Sequence, residues 1–298
     1  MMPGMRRLCV LGFALAVISL CLSTRSSIAQ DDSILWLYPD FPPVYIIKGE
    51  NARKGVGDKV LAFFQERMPE YRHEERIANF KRIIVTLAAG EKACSITLLK
   101  NKDREKVVLF SEPFMLSPQN EIITTKDQLP IIKTLIDSDG AVSLKEMMET
   151  SGLVLGYSTG RSYSSSIDQI INSSVNGKNS FLTFGNDIFE GLMRMMKRGR
   201  VDYTIGYGYE GRYIAKNLEF EKNVIAIPMR ENPSYVPVYA GCPRNVWGQN
   251  IIRKLNEIIN TARYSSVIYG TYQEWLDPES WERYQKNLPK MLWDIQPN

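Results

Sequence analysis

The chain has 298 residues, 44% hydrophobic and 23% charged, with one His, four Cys and a formal charge of +4. This is a globular composition that excludes full-length disorder, and its length fits two ordinary domains or one large one. A single His excludes a histidine-rich metal centre, and four Cys are too few for a disulfide scaffold.

Arg6 and Arg7 precede a mostly apolar run, Leu8 to Leu22, that is 15 residues long. A bilayer core needs ~20. The small residues Ser27 and Ala29 stand at the −3 and −1 positions of a cleavage site after Ala29. Residues 1–29 therefore read as a secretory signal rather than an uncleaved anchor. Cys21 follows Leu20, not a small residue, which argues against lipidation. No later stretch is long and apolar enough to span a membrane. Cleavage removes Arg6, Arg7 and Arg25 and no acid, leaving 34 basic against 33 acidic residues, a net of +1. Nucleic-acid binding then lacks the basic excess it needs. Lys100 to Lys106 and Met196 to Arg200 read as solvated charged faces.

In chain order, Ile34 to Asp40 is a buried strand ended by Pro and Asp. The turn GENARKGVGD follows, in which Gly55 and Gly57 read as turn residues. The stretch KVLAFFQERM predicts a helix with Val60, Leu61, Phe63, Phe64 and Met68 on one face, before Pro69. A polar strand at Arg72 to Arg76 comes next. NFKRIIVTLAAG predicts a second helix, with Asn79 as N-cap, Gly90 as stop, and Phe80, Ile83, Ile84, Leu87 and Ala88 inward. ACSITLL is the next strand.

The second half repeats this grammar. Gly152 to Thr159 is a strand and turn, SYSSSIDQII a helix, SFLTF a strand. DIFEGLMRMMKRG is a helix with Ile188, Leu192, Met195 and Met196 inward, its Met side chains core filler. VDYTIGY is a further strand. The segments Gly90 to Ile96 and Gly199 to Ile205 align, which suggests two lobes on one plan. Helices between strands predict an α/β fold, each lobe a mainly parallel sheet covered by helices, with a ligand cleft between them.

Enzyme chemistry is thin. His73 lies among charged residues in PEYRHEER and reads as a surface residue. Without a second His there is no Ser-His-Asp or Cys-His arrangement. No P-loop, strand-linked GxGxxG or CxxC occurs. The many carboxylates leave a carboxylate-pair hydrolase open. Neither metal nor cofactor is expected. Cys94 and Cys242 remain after cleavage, and in an exported chain they are a candidate disulfide; the alternative is two separate buried thiols.

Three stretches carry a resemblance: FPPVYI…GVGDKVLAFF, then Asp103-Arg104-Glu105 with LFSEPF (Leu109 to Phe114), and GRVDYTIGY. Together they resemble the bacterial extracellular solute-binding proteins of family 3, the type II periplasmic binding proteins of amino-acid ABC transporters. The resemblance spans the mature chain. It departs from the family at Gly57-Asp58, where an intervening aromatic is missing, at Leu98 and Leu99, where small hydroxyl residues are usual, and at Tyr207, which stands where the amino-acid binders place an acid for the ligand's ammonium. Glu210 is a possible substitute acid or the start of the next helix.

The resemblance implies that Arg104 forms a bidentate salt bridge to a ligand carboxylate, with its side chain facing an open cleft. Phe41 and Phe80 would pack on the ligand; Phe80 is alternatively a core residue of its helix. Thr97 would turn a hydroxyl or backbone group to the carboxylate. Ser158 and Thr159, with Gly160, would add hydroxyls and N–H groups at a helix N-terminus. Arg161 would add charge, or face solvent. It implies lobe one as residues 30–118 plus 234–298 and lobe two as 119–233. It also places the returning strand VPVYAGC antiparallel to ACSITLL, which brings Cys94 and Cys242 to one sheet edge. The expected protein is a monomeric periplasmic binder of a small carboxylate-bearing solute, working with an ABC permease. A sensor read by a membrane receptor, or an enzyme on the same fold, are the alternatives.

Overall fold

The computed structural model describes residues 33–158, 160–174, 179–183, 188–232, 235–262 and 266–294. The proposed signal, residues 1–29, lies outside them.

The chain begins with β1 (Ser33–Tyr38), α1 (Val56–Glu66), β2 (Arg72–Ile77), α2 (Phe80–Ala88) and β3 (Ala93–Leu98). A short α3 (Lys102–Glu105), β4 (Val108–Phe110) and β5 (Met115–Pro118) complete this part. The second part holds β6 (Glu121–Thr125), α4 (Leu129–Ile132), α5 (Leu144–Thr150), β7 (Leu155–Ser158) and α6 (Ser165–Ser174). It continues through β8 (Ser180–Thr183), α7 (Ile188–Lys197), β9 (Tyr203–Gly206), α8 (Gly208–Asn217) and β10 (Val224–Ile227). The chain then returns through β11 (Tyr235–Pro243), followed by α9 (Val246–Ala262), α10 (Ser266–Tyr269) and α11 (Pro278–Asp294).

Two sheets result, one per lobe. The first runs β2-β1-β3-β11-β4, with β5 also paired to β11, and the second runs β10-β6-β9-β7-β8. Each has a parallel core, β2-β1-β3 and β9-β7-β8. The strands that carry the chain across enter antiparallel: β11 against β3, β4 and β5, and β6 against β9 and β10. The sheets are thus more mixed than the helix–strand alternation suggests, because a chain that leaves a lobe and returns to it closes the sheet from the opposite direction. One large core packs β1, β3 and β11 against α1 and α9; a second lies under β7, β9, α5 and α6.

Local chemistry explains the element ends. Asn79 accepts from Arg82 N at 2.9 Å and caps α2, and Gly90 follows the helix at φ +79°, a left-handed conformation that glycine adopts without Cβ strain. On α2 itself Thr86 joins Ile83 and Leu87 inside, while Ala88 faces out. Gly55 and Gly57 do more than turn the chain: Gly55 is the N-cap of α1, and the buried Asp58 carboxylate accepts from Gly55 N and Ile46 N, each at 3.0 Å. A Cβ on Gly57 would lie 2.6 Å from Tyr45 Cζ, so the helix packs against that ring only because the position is glycine. On α7, Met193 takes the buried place expected for Met195, beside Leu192 and Met196; Met195 is half-buried, and the Ile188 side chain lies outside the described residues.

His73 is half-buried rather than a surface residue. Its Nδ1 accepts from Trp36 Nε1 at 3.0 Å, and its Nε2 lies 3.1 Å from Gln65 O and 3.0 Å from Met68 O at the end of α1. The partners assign a neutral ring with its proton on Nε2. Its role is to tie β2 to β1 and α1. Cys94 and Cys242 are disulfide-bonded, with Cα atoms 4.4 Å apart and both residues fully buried. Gly241 stands opposite Ser95 and Tyr239 opposite Leu98, so the antiparallel register brings the two cysteines together. Among the described residues no helix is long and apolar enough to cross a membrane, and no group of His, Cys, Asp and Glu is arranged to hold a metal.

Candidate functional site

The strand ends of both lobes face each other, and the expected site residues divide there into three groups. Phe41, just after β1, and Phe80, the first residue of α2, come together edge to face at 5.7 Å. Phe41 also lies 6.0 Å from Tyr207 of the second lobe. Tyr207 stacks on Tyr209 at 5.2 Å, and the aromatic contacts continue through Tyr272 to Tyr284 on α11. Burial pushes the Tyr207 phenol pKa up, so this aromatic row stays neutral in ordinary conditions.

Arg104 does not face an open cleft. It is 7% exposed, donating from Nη1 to Leu99 O at 2.7 Å and from Nη2 to Gly160 O at 3.0 Å. Asn101 accepts from its backbone N at 2.9 Å, holding the short helix that presents it. Burial pushes the guanidinium pKa down, with Asp168 opposing. Among the described residues Arg104 forms no ion pair. It is a cation buried where the lobes meet, its hydrogen-bond acceptors among the described residues being the carbonyls of Leu99 and Gly160. This corrects the expected exposure: Gly160 of the second lobe lies against the start of α2, where a Cβ on it would lie 2.9 Å from Lys81 N.

Arg161 neither faces solvent nor lends its charge to open space. Its Nη1 and Nη2 donate to Glu210 Oε1 and Oε2 at 2.9 and 2.7 Å, with side chains 6% and 0% exposed. The guanidinium carbon lies 4.7 Å from the Phe41 ring, 5.2 Å from Tyr163, 5.3 Å from Phe189 and 5.7 Å from Tyr207. Burial works against the charge of Arg161, but Glu210 outweighs it and raises the guanidinium pKa. Burial likewise pushes the Glu210 carboxyl up while Arg161 pulls it down. The bidentate geometry is that of an ionised pair. Removing one partner of such a pair typically costs ~3–5 kcal/mol, because the other charge is left buried. Glu210 is the third residue of α8, and its Oε2 also accepts from Tyr207 N at 3.2 Å; its carboxylate is engaged by Arg161.

Ser158 is buried at the end of β7, its N donating to Tyr163 Oη at 3.2 Å. It does not sit at a helix N-terminus, because α6 begins at Ser165 and that end is capped by Ser164, whose Oγ accepts from Ile167 N at 3.3 Å. Thr159 lies outside the described residues. Thr97 is engaged within the first lobe, its hydroxyl donating to Tyr45 Oη at 3.3 Å.

Tyr163, Phe189 and Asp168 were not singled out from sequence. Asp168 accepts from Ser162 Oγ at 2.5 Å and Tyr163 N at 2.8 Å, shaping the loop that carries Arg161. The pattern Ser-Tyr-Ser-x-x-x-Asp was the available signal, a loop whose polar groups a nearby acid could gather.

Between Asp40, Phe41, Phe80, Ser158, Arg161 and Phe189 there remains about 20 Å³, about the volume of one water. Beside it lies a recess of about 550 Å³, with Lys81, Asn101, Arg104, Gly160, Ser162 and Asp168 on its walls. That volume is within the ~300–1,000 Å³ usual for small-molecule sites.

Solved structures share the fold that carries these residues. A histidine kinase sensor domain with similarity to periplasmic binding proteins matches at TM-score 0.62 and 16% identity, over 82% of this chain and 95% of its own. An ancestral arginine-binding protein bound to arginine matches at 0.61 and 18%, over 84% and 100%. The arginine-, lysine-, histidine-binding protein ArtJ from Geobacillus stearothermophilus matches at 0.62 and 13%, over 85% and 99%. The chain has the two-lobed periplasmic-binding-protein fold. No protein-family model and no curated protein matches the sequence. In this fold the cleft between the lobes is where the chain gathers Arg104, Arg161 and Glu210, and it is the candidate site.

Proposed function

We propose that the protein is an exported, monomeric solute-binding protein of the family 3 type, resident in the periplasm after cleavage following Ala29. It captures a small carboxylate-bearing molecule, amino-acid-like or an organic acid, by lobe closure and delivers it to an ABC importer, with no turnover. The lobes in this reading are residues 30–118 plus 234–298, and 119–233. The observation that carries it is Arg104: a guanidinium buried between lobes, beside a recess of about 550 Å³, with carbonyl partners at 2.7 and 3.0 Å. A planar fork of that kind gains most from a carboxylate, and a ligand that touches both lobes favours the closed state. Ser158 adds a polar group to the wall of the recess, while Phe41 and Phe80 line the adjoining space of about 20 Å³. Arg161 is engaged by Glu210 and Thr97 by Tyr45, so neither is assigned to the solute.

A sensor reading has one point in its favour, the similarity to a histidine kinase sensor domain. Both readings require the same ligand step. A thermal-shift screen of organic acids and amino acids on the wild-type protein should find a stabilising carboxylate. Titration of that compound into Arg104→Ala should then show a loss of ~30- to 5000-fold, equivalent to ~2–5 kcal/mol, with partial recovery in Arg104→Lys. No stabilising carboxylate, or equal affinity in Arg104→Ala, overturns the reading.

A further inference from the structure

The cleft already contains a bound cation, and the chain itself supplies it. We propose that Phe41, Tyr163, Phe189, Tyr207 and Glu210 form a guanidinium-binding site which the protein fills with its own Arg161. The contacts are those a site for a free guanidinium compound needs. A carboxylate grips both terminal nitrogens at 2.7 and 2.9 Å, the fork-to-fork geometry that makes this pairing specific. Four aromatic rings lie within 4.7–5.7 Å of the guanidinium carbon, where the negative ring faces favour a cation. The site is shaped closely around its occupant. A Cβ on Gly206 would fall 2.4 Å from Phe189 Cε2 and 3.0 Å from Glu210 Oε2, so glycine there lets both the ring and the acid approach.

Arg161 also bridges the lobes as a ligand does. Its acid partner and three of its rings belong to the second lobe, while Phe41 belongs to the first. A solute that contacts both lobes shifts two-lobed proteins toward closure; here a side chain makes those contacts. Closure therefore needs no cationic solute. The cation's place beside Glu210 is taken. The assignment of Arg161 stands independently of which anion, if any, is bound.

The test uses N-ethylguanidinium, the fragment that Arg161→Ala removes. Wild-type protein, with its site filled, should show no thermal stabilisation at 10 mM. Arg161→Ala should melt lower than wild type and regain roughly 3 °C with 10 mM N-ethylguanidinium, the shift expected of a ligand at about ten times its Kd. Tetramethylammonium lacks the fork and should give less than half of that shift. In Arg161→Ala with Glu210→Gln the N-ethylguanidinium effect should disappear. Stabilisation of wild type equal to that of Arg161→Ala, no rescue of Arg161→Ala, or rescue unchanged by Glu210→Gln each overturns the proposal. If Arg161→Ala cannot be purified folded, it is refolded from urea with its disulfide intact, with and without 10 mM N-ethylguanidinium. Recovery only in its presence supports the assignment; equal recovery, or none in either, overturns it.

Discussion

Arg104 on the first lobe donates to the carbonyl of Gly160 on the second at 3.0 Å. The bond is possible because Gly160 holds φ +78° and carries no Cβ to meet Lys81, whose backbone N would be 2.9 Å away. One arginine and one glycine thus set how closely the two lobes approach on this side.

Gly160→Ala should hold the lobes apart. An L-residue at that backbone angle costs about 1–2 kcal/mol, and the added methyl collides with backbone rather than with a side chain that can move. Small-angle scattering should show a larger radius of gyration than wild type, together with a lower melting temperature. An unchanged radius would show that Gly160 does not limit closure.

The disulfide between Cys94 and Cys242 closes a loop across 148 positions. In the chain-entropy view a bridge of that span contributes up to ~5 kcal/mol by restricting the unfolded chain. Reducing it, or replacing both residues by Ala, should lower the urea midpoint markedly while the far-ultraviolet dichroism of the native state stays unchanged. Thiol labelling of native protein that finds both cysteines free would contradict the bond.

Acid should weaken the first lobe through Glu75. Its carboxylate accepts from Arg53 at 2.5 and 2.7 Å, from Tyr38 at 2.7 Å and from Gln65 at 3.0 Å. Burial raises its pKa, but these bonds outweigh burial and hold it at about 2, against an ordinary 4.5. A folded-state value below the unfolded one means the contribution is full above pH 4.5 and is lost as pH falls towards about 2. Glu75→Gln should remove that part of the pH dependence. Urea midpoints measured at pH 5 and pH 2.5 for both proteins would decide; parallel falls would assign the effect elsewhere.

The crossing segments are tied by two buried asparagines. Asn232 donates to Asn120 O at 2.7 Å, and Asn120 donates to Tyr163 O at 2.8 Å. Asn232→Ala leaves a buried carbonyl without its donor, at a cost of ~1–3 kcal/mol. The loss should appear as a lower urea midpoint and faster hydrogen exchange in residues 118–121. Wild-type behaviour in both would show the bond to be dispensable.

Local pattern was enough for the parts whose causes are local. Helix–strand alternation reveals two α/β lobes because each element must bury one apolar face, and Asn79 and Gly90 mark the ends of α2 through their own side chain and backbone freedom. His73 was misread for the complementary reason: its partners Trp36, Gln65 and Met68 come from other elements. The two cleft arginines show the division most sharply. In sequence each is a basic residue in a polar loop. Only the folded chain brings Glu210 to Arg161 from 49 positions away and the Gly160 carbonyl to Arg104 from 56. Which guanidinium is paired with an acid and which is buried against carbonyls depends on desolvation and on what arrives across the cleft, and neither is written in the residues beside them.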